Sequence, residues 1–558
     1  MRGEISRREL FVLGAGAALA SRVHAAEAAT EPPRAVVEAN DRAVAMSLNG
    51  QVLTDGHPFR GGIPDDRELY HARTAGRFIQ QAIAAYFCKA SRFFGDDKVV
   101  KQIEHALTFL EGAQSDDGNI DLLTTNFNSP PDTGFVVHFA ASAANIARIN
   151  GADDIARLFR PFMSGAGRGM ANGGIHTPNH RWVVSAALAQ INELYPDERF
   201  VNRIDAWLAE GIDIDDEGQF TERSTGGYNA VCVNAFAVLA HKLQRPVLLD
   251  PVRKNLNAMA YLLHPNGEVV TEFSNRQDRN TTATMERYWF ALRYMAIADG
   301  NGLYTSMLKP IEPHAMDLPL LMEYPNLSAP RPTSSPIPDN YVLDLPRSGI
   351  TRIRRGKTSA TVIHRGNSRW ISVHHGNAVI NAIRFASAFF GKGQFRPIRF
   401  ERKGDELHFY QSLEGRYYQP FSDPKQLPVR QEEYGVKRGR RDVSEVCTMD
   451  YEGRIRETTK GLAVSIRATG TVGVPLAVEI NLRAGTNISG PEALGDDRYL
   501  LRDGMATCTI GDDVILVGPG IGAHRYVQIR GAEEKLSGPS VYLTAYTPFE
   551  TTLEIQKS

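Results

Sequence analysis

The stretch DDEGQFTERSTGGYNAVCVNAFAVLAHKL, residues 215–243, contains the repeating unit that decides the fold: a glycine turn, a short extended piece, a polar loop and an Ala-rich helix. Similar glycine turns occur in DDGNIDL from 116, ANGGIHT from 171 and HPNGEVVTE from 264. The glycines of the four turns, Gly118, Gly174, Gly218 and Gly267, lie 44 to 56 residues apart. This period matches one helical hairpin with its loops, as in ring or solenoid architectures.

The hydrophobic pattern on either side of this unit divides the chain in two. From 35 to 320 apolar residues recur every three or four positions, which predicts an (α/α) toroid. A proline-rich linker follows at 321–345, and 346–558 alternates with a period of two, which is typical of an antiparallel β-sandwich. The predicted class is therefore α+β multidomain, with the toroid first and the sandwich second.

The N-terminus has the features of an export signal. In residues 1–26 the sequence SRRELF precedes the short apolar stretch VLGAGAALA, which predicts a cleaved twin-arginine signal peptide and a periplasmic or secreted protein. The four cysteines, Cys88, Cys232, Cys447 and Cys508, stand far apart without CxxC spacing. We interpret them as core residues rather than as a disulfide framework or a zinc ribbon.

The overall charge restricts the class of partner. Lys+Arg 63 against Asp+Glu 64 gives a formal net charge of -1, which argues against nucleic acid and, after signal cleavage, against a membrane surface. An anionic ligand would have to be held by local arginines. No feature of the sequence indicates a particular oligomeric state.

Polar side chains concentrate where the loops of the repeat lead into helices. In a ring of hairpins equivalent loops emerge at one end, so these residues should share a cleft. They are Asn128, Asp132 and His138; Asn179, His180 and Arg181; Glu222, Arg223 and Tyr228; and Glu286, Arg287 and Tyr288. Helix capping alone explains them poorly, because Ser, Thr and Asp serve as caps equally well. For Asn179, His180 and Tyr228 individually, capping or core packing remains the alternative interpretation.

This set suits proton abstraction next to a carboxylate. The intermediate carries a second negative charge, which donors such as Asn179 and His180 can neutralise. A tyrosine within reach, such as Tyr228, can act as base, acid or both. The reaction is β-elimination at a uronic acid.

An Asn-His pair followed by Tyr228 in a helical ring, with a sandwich behind it, resembles the toroid-plus-sandwich polysaccharide lyases, the heparinase II/III-like and alginate-lyase-like group. The resemblance implies that Asn179 and His180 neutralise the uronate carboxylate and that Tyr228 transfers the proton. We add His138 to the candidate catalytic residues. The candidate substrate-binding residues are Asn128, Arg181, Glu222, Arg223, Arg287, Tyr288 and His375, and the partner is an acidic glycan.

The same resemblance implies a contribution from the sandwich. Many members take a further His or Tyr from it, for which this chain offers His374, His375, His408, Tyr410, Tyr417 and Tyr418. Some members bind a structural metal ion there, zinc or calcium, although none is required for the chemistry. The sequence does not identify ligands for such an ion.

Two other functions remain open. A toroid glycoside hydrolase would use paired carboxylates such as Asp132, Glu222 or Glu286, with two carboxyl groups roughly 6.5 to 9.5 Å apart in an inverting enzyme. A periplasmic glycan-binding protein would use the same cleft without turnover.

Overall fold

The computed structural model describes residues 31–423 and 430–557, so the predicted signal peptide at 1–26 lies outside the described part. Internal contacts divide the chain into two units. Unit 1 runs to Ala258 and resumes over Thr284–Ile337, whereas unit 2 takes Met259–Ala283 and the chain from Pro338 onward. No helix in the described ranges is long and apolar enough to cross a membrane.

Unit 1 is helical apart from one small hairpin. Its helices are α1 (Arg34–Gly50), α2 (Ala72–Phe87), α3 (Asp97–Gly112), α4 (Pro130–Ile149), α5 (Asp153–Leu158), α6 (Arg160–Asn172), α7 (His180–Leu194), α8 (Glu198–Ala209), α9 (Tyr228–Lys242), α10 (Asp250–Met259), α11 (Trp289–Ala298), α12 (Gly302–Leu308), α13 (Glu312–Ala315) and α14 (Leu318–Glu323). The hairpin strands are β1 (Ile120–Leu122) and β2 (Asn126–Ser129), and single 3₁₀ turns cover Pro246–Leu249, Met285–Tyr288 and Pro325–Ser328.

The helices of unit 1 form an inner and an outer series. Helices α2, α4, α7, α9 and α11 each pack against the next of this series, and α14 packs against α2 and α4. Every residue of α7 from 180 to 191 is buried, whereas α8 buries only Phe200 and Ile204. An Ala-rich helix such as α7 lets neighbours approach on all sides, while α8 covers the ring with one apolar face. This arrangement confirms the predicted toroid.

The glycine repeat corresponds to one recurring turn. Gly118, Gly218 and Gly267 have φ values of +92°, +73° and +84°. In each turn the amide of the residue three positions earlier donates to the carbonyl of the residue after the glycine, at 2.8, 3.0 and 2.7 Å, and the glycine amide donates back. Gly174 does not adopt this conformation. The third turn belongs to unit 2.

Unit 2 contains two large sheets. The strands are β3 (Asn340–Leu345), β4 (Ile350–Arg355), β5 (Thr358–Ile363), β6 (Ile371–His375), β7 (Ala378–Ser387), β8 (Gly393–Gln394), β9 (Arg399–Lys403), β10 (Glu406–Tyr418), β11 (Val443–Thr458), β12 (Gly461–Gly470), β13 (Pro475–Leu482), β14 (Asn487–Ser489), β15 (Glu492–Gly495), β16 (Arg498–Leu500), β17 (Ala506–Ile510), β18 (Asp513–Gly518), β19 (Ser540–Tyr546) and β20 (Phe549–Lys557), with a helix α15 (Gln431–Arg438).

The two sheets share one core. The first has the order β15-β16-β19-β13-β7-β6-β5-β4-β3 with β8 beside β7, and the second has the order β14-β17-β18-β20-β12-β11-β10-β9. The described pairings are antiparallel except β16 with β19, which is parallel. Trp370 and Phe385 of the first sheet region pack in one apolar cluster with Phe409, Val464 and Leu553 of the second. The predicted β-sandwich after the toroid is thus confirmed.

The segment Met259–Ala283 joins the first sheet of unit 2, although its sequence lies among the helices at 35–320. The guanidinium of the fully buried Arg352 donates to the carbonyl of Leu263 at 3.3 Å. Glu268 forms a two-bond ion pair with Arg483, at 2.6 and 2.7 Å. Because these partners satisfy buried or half-buried charges of the sheet, the segment is held there rather than among the helices.

All four cysteines are free thiols. Cys88, Cys232 and Cys508 are buried and Cys447 is half-buried. This agrees with their interpretation as residues of the packed interior.

Candidate functional site

The N-terminal ends of three inner helices lie at the predicted loop-to-helix junctions. Helices α4, α7 and α9 begin at Pro130, His180 and Tyr228. Because outer helices return the chain between them, successive inner helices run in the same direction and begin at the same end of unit 1. Ser129 caps α4 with its hydroxyl, but neither Asn179 before α7 nor Gly227 before α9 makes a side-chain cap.

Asn179 pairs with Glu222 instead of capping its helix. The Asn179 Nδ2 donates to Glu222 Oε1 at 2.7 Å and to the Thr177 hydroxyl at 3.1 Å. Asn179 is 1% exposed and Glu222 is 7% exposed. This pair ties the loop before α7 to the loop before α9, and it fixes the direction of the amide.

His180 lies beside a second histidine. Its side chain is buried, and its ring meets the ring of His176 edge-on with 4.6 Å between centroids. His176 is exposed. The two imidazoles therefore lie side by side, one buried and one exposed.

Tyr228 is the first residue of α9 and is half-exposed. Its backbone amide donates to the Ser224 hydroxyl at 2.9 Å. A Cβ placed on the preceding Gly227 would lie 4.0 Å from Arg287 Nη1, so the guanidinium of Arg287 passes close to this glycine. The atom that such a Cβ would strike is the Ser224 hydroxyl oxygen, at 2.9 Å, so the absence of a side chain at Gly227 allows the close approach of Ser224.

Two further arginines belong to this region. Partial desolvation, followed by the charges of Arg77 and Arg287, lowers the pKa of Arg73, whereas Asp132 and Tyr228 raise it. Arg73 and Arg77 are exposed near the start of α2. The structure therefore places three guanidinium groups within electrostatic range of one another at the end of the ring that carries Tyr228. We call Arg73, Arg77 and Arg287 the arginine cluster.

Arg181 and Tyr288 have partners inside unit 1. Arg181 pairs with Glu210 at 3.1 Å and Asp213 at 3.0 Å, and its guanidinium lies 4.5 Å from the centre of the Trp182 ring. Tyr288 is fully buried, and its hydroxyl donates to the carbonyl of Thr225 at 2.6 Å. Both side chains therefore stabilise the loops around the site.

Three other predicted residues lie in the small hairpin, in a turn or in the helical interior. Asn128 is exposed on β2, has a φ of +47°, and bonds Ser115 and Asp117. Arg223 has a φ of +49° and lies 3.8 Å from Asp215. His138, inside α4, bonds Gln190 through Nδ1 at 2.5 Å, and burial lowers its pKa.

The candidate residues of the sandwich are spread over both sheets of unit 2. His375 on β6 bonds Thr358 at 2.9 Å, and His408 on β10 lies between Glu406 and Glu452. Tyr410 on β10 lies under the guanidinium of Arg399, at 4.0 Å, while Tyr417 is exposed and Tyr418 lies under Arg438. His374 differs from these, because it groups with His264 and Glu272.

That group is the place in the described chain where histidine and carboxylate side chains come close enough to share a metal ion. The expected metal therefore has three candidate ligands of suitable chemistry in unit 2: His264, Glu272 and His374. The sequence alone did not indicate them, because Glu272 and His374 are about a hundred residues apart.

No protein-family model and no curated protein matches the chain. Among solved structures it is similar to the Streptomyces coelicolor A3 chondroitin AC lyase in complex with chondroitin sulphate, with 12% identity over 95% of this chain and 80% of that chain and a TM-score of 0.53. It is also similar to a Paenibacillus xanthan lyase, with 11% identity, a TM-score of 0.56, and coverage of 94% of this chain but 57% of that chain. The likeness shows that a helical toroid followed by sheets is shared with polysaccharide lyases over nearly the whole of this chain.

Proposed function

We propose that the protein is a polysaccharide lyase that cleaves a glycosidic bond at a uronic acid by β-elimination. The observation that carries the proposal is the half-exposed Tyr228 beside Gly227 and Arg287, within electrostatic range of Arg73. The shared fold supports it, since the similar structures are lyases for chondroitin and xanthan. Within this class, the Asn-His pair and the later tyrosine favour the heparinase II/III-like and alginate-lyase-like group.

The arginine cluster supplies the electrostatic part of the reaction. Guanidinium groups bind carboxylates through paired hydrogen bonds, so the cluster can hold an acidic sugar at Tyr228. When the proton on C5 is removed, a second negative charge develops on the carboxylate. Positive charges next to the carboxylate stabilise that charge.

Tyr228 is assigned the proton transfer. Its oxygen, in the phenolate form, takes the proton from C5 as the C5–H bond breaks, and the bond between C4 and the glycosidic oxygen breaks as a C4–C5 double bond forms. The leaving oxygen receives a proton from the same phenol or from water. Products are a new reducing end and an unsaturated uronate.

The pair Asn179–Glu222 is assigned a positioning role. The sequence predicts Asn179 as a neutralising residue, but its 1% exposure leaves no surface for a glycan. Its bond to Glu222 instead fixes the loop that leads to Tyr228. Neutralisation therefore falls to the arginine cluster and to His180 with its exposed neighbour His176.

Export by the twin-arginine route to the periplasm or beyond belongs to the same proposal. It depends on the motif in residues 1–26 and fits an enzyme whose substrate is an extracellular polymer.

The test is an assay for unsaturated uronate on a panel of acidic glycans, read from the ultraviolet absorbance of the new double bond. Tyr228→Phe should reduce kcat by at least about a hundredfold, which is the usual contribution of acid–base catalysis, with little change in substrate binding. Tyr86→Phe is the matched control, because Tyr86 lies at the other end of α2 and bonds Asp97. Full activity of Tyr228→Phe would refute the assignment.

A glycoside hydrolase would need two of the carboxylates Asp132, Glu222 and Glu286 to act as a pair. Asp132 accepts hydrogen bonds from Asn126 and Ser129, and Glu222 accepts one from Asn179. Glu286 is exposed at a separate 3₁₀ turn. Nothing in this arrangement favours paired carboxylates. Glycan products without the new chromophore would identify a hydrolase, and binding without turnover would identify a binding protein.

A further inference from the structure

A groove of unit 1 lies where the β1–β2 hairpin leads into α4. It has a volume of about 540 Å³, within the range of about 300–1,000 Å³ that is usual for small-ligand sites. Residues 125–131 line it from the hairpin and the start of α4, and residues 173–176 line it from the loop before α7. A Cβ on Gly173 would lie 2.3 Å from Pro130 Cγ, so this glycine allows the two segments to pack directly together. The groove is therefore formed by the segments that lead into α4 and α7.

Phe127 on β2 presents an aromatic ring at this groove. The residue lines the groove and is 68% exposed. Its neighbour Asn126 donates from Nδ2 to Asp132 Oδ2 at 2.9 Å. On the other side the backbone amide of Asn128 donates to Asp121 Oδ1 at 2.6 Å. Because both neighbours are fixed, the ring has a defined position, which lowers the entropy lost when a ligand stacks on it.

The polar groups around this ring suit the hydroxyl groups of a sugar. They are the side chains of Thr125, Asn126, Asn128 and His176, all at least partly exposed. An asparagine amide has two N–H donors and an oxygen acceptor, so it retains bonding capacity after the contacts within the hairpin. A pyranose ring has C–H groups on its faces and hydroxyls at its edge. A face can pack on an aromatic ring, whose π electrons attract C–H groups, while the hydroxyls bond the amides.

The lining of the groove carries negative charge. Asp117 lines it and is exposed. Hydrogen bonds from Ser115 and Asn128, followed by the charge of Arg168, hold the pKa of Asp117 below its usual range, so this carboxyl is ionised at neutral pH. Among the described residues, the lining of the groove includes no arginine or lysine. A carboxylate or a sulfate would therefore be repelled here, in contrast to the arginine cluster.

The groove adjoins the site proposed for elimination. His176 lines the groove, and its ring meets the ring of His180 with 4.6 Å between centroids. His180 begins α7 and follows Asn179, which bonds the loop before Tyr228. A glycan chain in the groove therefore leads towards the end of the ring that carries Tyr228.

We propose that this groove binds an uncharged sugar of an acidic glycan, with Phe127 stacked on one face of that sugar. The inference rests on the proposed function, because it takes the uronate to lie at Tyr228 and the arginine cluster. The substrate is then a glycan in which the uronate is accompanied by a neutral, unsulfated sugar. A polymer of uronate alone, or one with sulfate on the second sugar, would bring an anion next to Asp117.

Equilibrium binding tests the inference without turnover. The full chain with Tyr228→Phe is titrated calorimetrically with hyaluronan, unsulfated chondroitin and heparosan, in which a uronate alternates with a neutral N-acetylated sugar. We expect at least one of these unsulfated glycans to bind. The sulfated form of the glycan that binds, and alginate, which contains uronate alone, should bind more weakly.

Substitutions locate the contact. Phe127→Ala should weaken binding by about threefold to tenfold, the range for loss of one aromatic contact, whereas Phe127→Tyr should retain it. In the active enzyme Phe127→Ala should raise KM with little change in kcat. Phe94→Ala is the matched control, since Phe94 is 51% exposed and lies outside the groove. Asp117→Asn keeps an acceptor for Asn128 and should reduce the preference for the unsulfated glycan.

The inference is overturned if no unsulfated glycan of the set binds, if the sulfated form or alginate binds as tightly, or if Phe127→Ala binds as tightly as its parent. If Phe127→Ala does not fold, Phe127→Trp decides, because the emission of the new indole should change when the glycan binds, and unchanged emission overturns the contact. The proposed function is judged separately, from formation of unsaturated uronate. A chain that binds glycan through Phe127 but forms no such product refutes the elimination and supports the groove.

Discussion

Asn179 and Glu222 show how a polar pair at a helix start can act through another residue. Both side chains are buried, and the bond between them joins the two loops that precede α7 and α9. A buried carboxylate that accepts from a buried amide is destabilised when that amide is removed, because it loses part of what compensates for its desolvation. The pair can therefore be tested separately from the chemistry.

We expect Asn179→Ala to lower the free energy of unfolding of unit 1 by about 1–3 kcal/mol, because Glu222 loses its buried donor. Asn179→Ala combined with Glu222→Ala should cost less than the sum of the single changes, giving a coupling energy of about 1 kcal/mol or more. Urea unfolding of the four proteins measures it. Additive single changes would show that the pair does not connect the loops energetically.

His364 makes unit 2 sensitive to acid. Its ring is buried against Phe400, with 3.8 Å between centroids, and bonds Thr351. Burial lowers its pKa to about 4, with Asp344 opposing and Arg365 and Arg402 adding to the effect. The unfolded chain takes up this proton near pH 6.5. Stability from this residue is therefore complete above about pH 6.5 and is lost as the pH falls towards 4.

His364→Gln should reduce the loss of stability between pH 7 and pH 5 by about 2 kcal/mol, because one buried proton-binding site is removed. Unfolding of unit 2 in urea at both pH values gives the difference. His314→Gln is the control, since His314 is exposed on α13. An unchanged pH dependence in His364→Gln would contradict the prediction.

At the scale of elements, the turn repeat shows what sequence spacing can and cannot predict. The turns at Gly118, Gly218 and Gly267 are local, so a glycine at the right position specifies them. Gly174 differs because the residue three positions earlier, Ala171, is still within α6 and cannot take part in the turn. Spacing alone does not reveal where the preceding helix ends.

Alanine substitutions at two of the turn glycines should distinguish the stability cost of a positive φ from the cost of a steric clash. Gly118→Ala would place a Cβ 2.0 Å from the carbonyl oxygen of Gly165, whereas at Gly267 the same Cβ meets nothing within 4 Å. Gly267→Ala should cost about 1–2 kcal/mol, the price of a left-handed residue with a side chain. Gly118→Ala should cost at least about 3 kcal/mol, measured by denaturant unfolding, and equal costs would be unexpected.

Candidate site residues could be selected from the sequence only where they follow the repeat. Asn179, Glu222 and Tyr228 stand at loop-to-helix junctions, and the structure joins Asn179 to Glu222. Arg73 and Arg77 lie on α2, before the first glycine turn, so the repeat does not mark them. A different signal exists, because two arginines near the start of an apolar helix lie at the end of the helix dipole that disfavours cations.

At the scale of the whole molecule, the change of hydrophobic period predicts the class of fold. It does not predict which segments of the chain belong to unit 2. The segment Met259–Ala283 carries the fourth glycine turn of the repeat, at Gly267, yet its side chains and carbonyls are partners of the sheet. Sequence pattern reports local structure, whereas this assignment depends on ion pairs with residues far along the chain, such as Glu268 with Arg483.

A fragment that begins at Pro338 should therefore be defective. It lacks Leu263, which accepts a hydrogen bond from the fully buried Arg352, and Glu268, the partner of Arg483. We expect it to lack a cooperative thermal transition, because Arg483 would lose its ion-pair partner and the buried guanidinium of Arg352 would lose one of its acceptors. Joining Met259–Ala283 to the same fragment through a flexible linker should restore the transition, measured by circular dichroism. Cooperative unfolding of the shorter fragment would contradict this.

The position of Met259–Ala283 also has a consequence during synthesis. The ribosome releases this segment before Thr284–Ile337 and before every strand from β3 onward. Its carbonyls, its carboxylates and His264 therefore cannot form their contacts with the sheet until β4, β5 and β6 have also been synthesised. The last part of translation thus completes a structure begun near its midpoint, and a protein released early would present an unfinished polar surface to chaperones and proteases.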